Sequence, residues 1–276
     1  MQENMSMRII TFIVTFLVTF ASFAQRIDRN GNKMVSEIVH ENYNNHGECY
    51  DQTTFKFTYN ANGDMTKIVV NRCTGIGDIF KRNKKPFLFA VITMNGNAMT
   101  YDEYEEGVKI TYRKHKFTLS ADGKRLLSDI ITTSDGKHVT RTYEYENGVF
   151  SGLTEHYRGD FETWHLMFDV VEGNYYPIGK DGFVYSDEVN DTNINLDCLT
   201  WRIFGSIMVN EREHILLTQK VPLKSRNVIK EFMPDKASGK MICDVERDEK
   251  GNIVSVHTKY TDGSIARKEL RLKYLY

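Results

Sequence analysis

Phe55-Lys56-Phe57-Thr58-Tyr59-Asn60-Ala61-Asn62-Gly63-Asp64-Met65-Thr66-Lys67-Ile68-Val69-Val70 decides the fold class. Phe55, Phe57 and Tyr59 alternate with Lys56 and Thr58, the period-two signature of a half-buried strand. An Asn-Gly pair follows, then a second apolar run, which together read as a β-hairpin. The same rhythm returns along the chain. Val139, Arg141, Tyr143 and Tyr145 alternate with Thr140, Thr142 and Glu144, and Leu270, Leu272, Tyr274 and Tyr276 alternate with Arg271, Lys273 and Leu275. Turn pairs recur at Asp122-Gly123, Asp135-Gly136, Asn147-Gly148, Lys250-Gly251 and Asp262-Gly263. Each is read as a tight turn whose two central residues take positive φ. Helical patterns are scarce and short, around Ile76–Arg82 and Cys198–Met208. The expectation is an all-β, antiparallel hairpin array forming a barrel or a large curved sheet with few short helices. Closure or covering would protect the edge strands. The stretch from about Gly159 to Pro222 breaks the rhythm and is expected to plug or cover one end.

Composition agrees and removes several function classes. The chain has 276 residues, 41% hydrophobic and 12% aromatic, enough for a sizeable core and too aromatic for a disordered chain. Lys+Arg 36 against Asp+Glu 37 leaves a formal charge of -1, so no overall field attracts nucleic acid or an anionic membrane. A mean hydropathy of -0.45 excludes a polytopic helical membrane protein. The 19 Gly against 4 Pro suit glycine turns better than proline-rich linkers.

The first segment is an address. Arg8 is followed by the uncharged run Ile9–Phe20, and Ser22 and Ala24 stand three and one residues before Gln25. This is the anatomy of a secretory signal peptide, and the run is too short for the ~20 residues of a bilayer helix. Residues 1–24 are therefore read as a signal peptide and 25–276 as a single all-β domain in the periplasm, at the cell surface or outside the cell. An oxidising setting makes Cys49, Cys73, Cys198 and Cys243 candidates for disulfides. If residues opposed across the turn at Asn60–Gly63 sum to about 122 or 123, Cys49 faces Cys73, and Cys198 is left for Cys243. Four buried thiols are the alternative.

Two resemblances add to this reading. Tyr59-Asn60-Ala61-Asn62-Gly63 leading to Ile68, Tyr145-Glu146-Asn147-Gly148 leading to Leu153, and Gly251 leading to Val256 resemble the YD-type hairpins of bacterial surface proteins. The stretch Tyr185–Asp197 (YSDEVNDTNINLD) resembles the N-x-T-N-I-D-L-N segment of a secreted Bacteroidetes family of unknown function with a porin-like antiparallel β architecture. Asn195 stands where that family has Asp, and Asp197 where it has Asn. The resemblance implies a fold and an extracytoplasmic setting, and no catalytic residues.

Candidate sites follow from side-chain chemistry. In an extended segment, Asp191, Asn193, Asn195 and Asp197 share one face and offer hard oxygen ligands to Ca²⁺. The preferred alternative has these side chains bonding local backbone while Ile194 and Leu196 anchor the segment in the core. No other cofactor is expected. Trp164, Tyr175 and Tyr176, with Tyr43, Tyr50, Tyr101 and Tyr104, are read near polar loops, where aromatic rings could stack on sugars or fill peptide pockets. The alternative is that they complete the core. His40, His46 and Glu48 form the one local group with ligand chemistry, and Arg158-Gly159-Asp160 spells an adhesion tripeptide. Gly75-Ile76-Gly77 lacks the third glycine of a dinucleotide site, and Lys81–Lys85 reads as a solvated loop. No G-x-S-x-G, H-E-x-x-H or P-loop occurs. The favoured reading is an exported β-rich binding or surface-interaction protein whose partner is an extracytoplasmic glycan or protein. An outer-membrane β-barrel, the one reading that involves a membrane, is the alternative. A glycan-active enzyme on a β scaffold is the second alternative.

Overall fold

The computed structural model describes residues 25–74, 86–105, 107–111, 114–133, 136, 138–157, 163–178, 182–194, 196, 220–221, 224–233, 239–263 and 267–276. Their strands are β1 (Val35–Tyr43), β2 (Cys49–Tyr59), β3 (Met65–Thr74), β4 (Phe87–Asn95), β5 (Ala98–Glu105), β6 (Val108–Lys109), β7 (Lys114–Leu119), β8 (Leu126–Thr132) and β9 (His138–Glu146). They continue as β10 (Val149–Tyr157), β11 (Thr163–Val171), β12 (Asn174–Pro177), β13 (Val184–Val189), β14 (Asn227–Phe232), β15 (Met241–Arg247), β16 (Ile253–Tyr260) and β17 (Arg267–Tyr274). Both short helical candidates, Ile76–Arg82 and Cys198–Met208, lie outside the described residues.

The strands form two antiparallel sheets. The eleven-stranded sheet runs β13-β14-β15-β16-β17-β1-β2-β3-β4-β5-β6, and the six-stranded sheet runs β12-β11-β10-β9-β8-β7. The all-β hairpin array is as read, and of the two expected shapes it is the large sheet, not the closed barrel. Where β12 approaches β14, one backbone bond, from Arg226 N–H to Gly173 O at 2.9 Å, stands beside a side-chain pair. Asn227 N–H donates to Asn174 Oδ1 at 2.9 Å, and Asn174 Nδ2 donates to Asn227 Oδ1 at 3.2 Å.

The turns differ from the sequence reading in an instructive way. Among the non-glycine residues described, positive φ occurs at Asn147 and Glu172, so two-residue turns with both central residues left-handed form at Asn147-Gly148 and Glu172-Gly173. The loop after β2 works differently. Asn60 Oδ1 accepts the N–H groups of Asn62 and Asp64, both at 2.9 Å, and Gly63 alone takes positive φ. Asp28, Asn44 and Asp248 build the same loop with Gly31, Gly47 and Gly251. This longer loop, with a bulge between Thr58 and Tyr59, shifts the register so that Cys73 faces Gln52, while Cys49 lies opposite Tyr43 on β1. The expected facing of Cys49 and Cys73 is therefore corrected: the two do not oppose each other across the hairpin. Cys243 is buried opposite Thr258, and Cys198 lies outside the described residues.

One core joins the sheets. Ile68, Leu153 and Val256, the apolar residues after three turn glycines, are fully buried. Because each strand reverses, the turns at Asn60–Gly63, Asn147-Gly148, Glu172-Gly173 and Asp248–Gly251 lie at one end, where Asn97 Nδ2 of the β4–β5 turn donates to Ala121 O of the β7–β8 turn at 3.1 Å. Met34, Met65, Met94, Met99, Leu126 and Phe150 fill that end. Toward the opposite end the buried face turns polar, with His40, Asn42, Asp51, Thr53, Glu103, Asp129, Arg141, Glu155 and Thr258.

Candidate functional site: a buried charge ladder

Neighbouring strands of the six-stranded sheet place Phe117 opposite Asp129, Asp129 opposite Arg141, Arg141 opposite Glu155, and Glu155 opposite Trp164. Residues two apart on a strand share a face. Ile131 and Leu153, two residues from Asp129 and Glu155, are buried, so this row of charges points into the core. Arg141 Nε donates to Glu155 Oε2 at 2.5 Å, with the side chains 4% and 0% exposed. Arg141 Nη1 lies 4.0 Å from Asp129 Oδ2. His115, on the same face two residues before Phe117, places Nδ1 at 3.0 and 3.2 Å from the two Asp129 oxygens. A carboxylate only accepts, which assigns the Nδ1 hydrogen to this tautomer. Nε2 is then buried with no hydrogen-bond partner. The imidazole sits edge-on to Tyr101 at 4.6 Å and stacks on Phe117 at 5.6 Å.

A second polar group lies toward the same end of the eleven-stranded sheet. Arg72 donates from Nε and Nη2 to Asp51 at 2.9 and 3.1 Å, Asn42 Nδ2 donates to the same carboxylate at 3.3 Å, and the guanidinium lies over Phe89 at 5.4 Å. A buried ion pair is weak as a source of stability, because desolvation offsets most of the Coulomb attraction. Fixed charges and an imidazole held by a carboxylate are instead suited to orienting a polar ligand.

The residues singled out in the sequence fall elsewhere. Tyr175 and Tyr176 lie on strand β12, not in a loop. Tyr175 is a core residue packed edge-on against Phe168 at 6.0 Å, and burial pushes its hydroxyl up to about 12. Tyr176 meets Tyr185 edge-on at 5.1 Å. Tyr43, Tyr50, Tyr101 and Tyr104 are strand residues too, and Tyr101 is buried. Trp164 lies on β11, where its backbone pairs with Glu155 of β10. His40 is buried on β1 while His46 and Glu48 are exposed in the next loop, so the three do not converge.

In the Asx segment, Asn193 Oδ1 accepts Val35 N–H at 3.0 Å and its Nδ2 donates to the Tyr59 hydroxyl at 2.8 Å. Asp191 pairs with Lys33 at 2.7 Å. Thr192, Ile194 and Leu196 are fully buried. Asn195 and Asp197 lie outside the described residues, as do Arg158-Gly159-Asp160, Gly75-Ile76-Gly77 and Lys81–Lys85.

The sequence reading missed the ladder, although one signal was present: Arg141 stands at the core parity of an otherwise apolar strand face. Asp129 and Glu155 do the same on the two flanking strands.

No family model and no curated protein matches the chain. It is similar to a solved porin-like protein from Bacteroides vulgatus, at 10% identity and a TM-score of 0.49, with 87% of this chain and 98% of that one covered. It is also similar to a porin-like protein from Bacteroides uniformis, at 12% identity and a TM-score of 0.42, with 87% and 97% covered.

Proposed function

We propose that the chain is an exported, water-facing β-rich binding protein that takes a polar extracytoplasmic ligand, a glycan or a protein segment, at the charged end of its sheets. The direction of burial carries this reading. Leu270, Leu272 and Tyr274 of β17 face the core. The intervening residues meet water: Arg271 pairs with Glu41 at 2.8 Å, and Lys273 with Glu37 at 2.6 Å. Lys259 and Asp244 pair at 2.9 Å on the same outer face. A barrel in lipid needs the reverse, an apolar outer band, and charges on that band destabilise it. These outer charges, together with the open sheets, weigh against the outer-membrane alternative.

Binding is assigned to the polar end because buried polar groups concentrate there and its ladder adds little to stability. Immobilised native chain is to be exposed to envelope glycan and peptide fractions alongside the double variant Arg141→Met/Glu155→Leu. Removing both partners keeps the core filled and takes out the pair's two charges together, while Asp129 keeps its bond to His115 at 3.0 Å. Capture by the native chain and a loss of at least about tenfold in the folded variant, about 1.4 kcal/mol, is the expected result. Equal capture by both would overturn the assignment.

A further inference from the structure

We propose that Gln25 becomes the N-terminal residue of the exported chain and closes on itself to pyroglutamate, an inference that rests on the export reading above. Ser22 and Ala24 place the signal-peptidase cut before Gln25. The next residue is already tied into the fold. Arg26 N–H donates to Leu275 O at 3.0 Å, Met34 N–H donates to Arg26 O at 3.0 Å, and Ile27 bridges to Lys33. Cleavage therefore frees an α-amine on a residue whose neighbour is fixed beside the last strand.

The chemistry needs nothing beyond Gln25. The uncharged α-amine attacks the side-chain Cδ, a five-membered lactam forms, the Cδ–Nε2 bond breaks, and Nε2 leaves as ammonia after taking up the amine proton. No electron is gained or lost. Both reacting atoms belong to one residue, so the step has the advantage of an intramolecular reaction. An α-amine with an ordinary value near 8 is uncharged in part at neutral pH.

Nothing in the fold holds the leaving nitrogen back: with residues 1–24 attached, Gln25 Nε2 makes no hydrogen bond that cyclisation would have to break. The new terminus also loses its positive charge next to Arg26. The ring blocks attack by aminopeptidases, which require a free α-amine.

The test is the intact mass of the full chain after export from a Gram-negative host, with Gln25→Ala beside it. The expected result is the mass of residues 25–276 less about 17 Da, with no product on N-terminal sequencing, and a variant that sequences from its new alanine. Residues 25–276 with an intact glutamine, unchanged after prolonged incubation at neutral pH, would overturn the cyclisation and leave export standing. A chain that keeps residues 1–24, or begins anywhere other than Gln25, would overturn the cleavage on which the proposal depends.

Discussion

Arg141 and Glu155 face each other across β9 and β10, the guanidinium Nε 2.5 Å from the carboxylate, with both side chains sealed from water. Removing one partner leaves the other buried without its 2.5 Å ion-pair bond. Arg141→Met and Glu155→Leu should each cost about 3–5 kcal/mol, while the double variant should recover most of that loss. Urea unfolding of the three variants measures it. Single variants within about 0.5 kcal/mol of the native chain would mean the pair is not desolvated.

Asn193 ties the Asx segment to two strands, through Val35 N–H and the Tyr59 hydroxyl, and that hydroxyl donates to Val35 O at 2.6 Å. Asn193→Ala should destabilise by about 1–3 kcal/mol, and Tyr59→Phe by about 1 kcal/mol. The two losses should be less than additive, because both variants break the same bond. The same geometry gives Asn193 and one oxygen of Asp191 partners within the chain, and leaves Asp191 Oδ1 without a hydrogen bond. A chelator should therefore leave the melting temperature unchanged, and a rise on adding calcium would restore the metal reading.

Among the described residues, five hydroxyls stand out as resisting ionisation. Burial pushes Tyr175 up to about 12 and raises Tyr43, Tyr59, Tyr145 and Tyr274 as well, with Glu41 adding to the effect at Tyr43. A group whose folded value lies above its unfolded one contributes stability that is fully present below about pH 10 and lost as pH rises beyond it. Phenolate absorbance should show the exposed tyrosines titrating first and these five ionising together with loss of far-UV circular dichroism. All 15 tyrosines titrating near pH 10 with the fold intact would contradict this.

Cys49 is a poor nucleophile at neutral pH. Burial and the nearby Glu41 push its thiol up to about 11. Alkylation of the native protein should be slow at pH 7 and accelerate only well into the alkaline range. Peptide mapping without reductant should find no Cys49–Cys73 cross-link. Rapid labelling at pH 7, or that cross-link, would show that the register described for β2 and β3 is wrong.

What could be read in advance, and what could not, divides along physical lines. Parity along a strand is local, so the inward set Leu270, Leu272 and Tyr274 was legible from alternation alone. Pairing across strands was not. It depends on loop length and on bulges, such as those between Thr58 and Tyr59 and between Phe150 and Gly152, which no alternation pattern records. Cys49 and Cys73 were misplaced for that reason, and Arg141 was visible without its partners. From the sequence, Tyr175 and Tyr176 look like loop residues because the turn before them uses Glu172 at positive φ, a residue with no turn signature. The Asx chemistry of Asn60 was legible as a turn but not as a particular turn, since Asn-Gly serves both kinds.

The most direct test is partition of the exported chain between the soluble fraction and the membrane. Charge pairs such as Arg271–Glu41 and Lys273–Glu37 on the outer sheet face predict full recovery in the soluble fraction without detergent, as a folded β protein. Recovery only after detergent extraction of outer membranes, with heat-modifiable mobility on electrophoresis, would contradict a water-facing sheet and return the chain to the barrel reading.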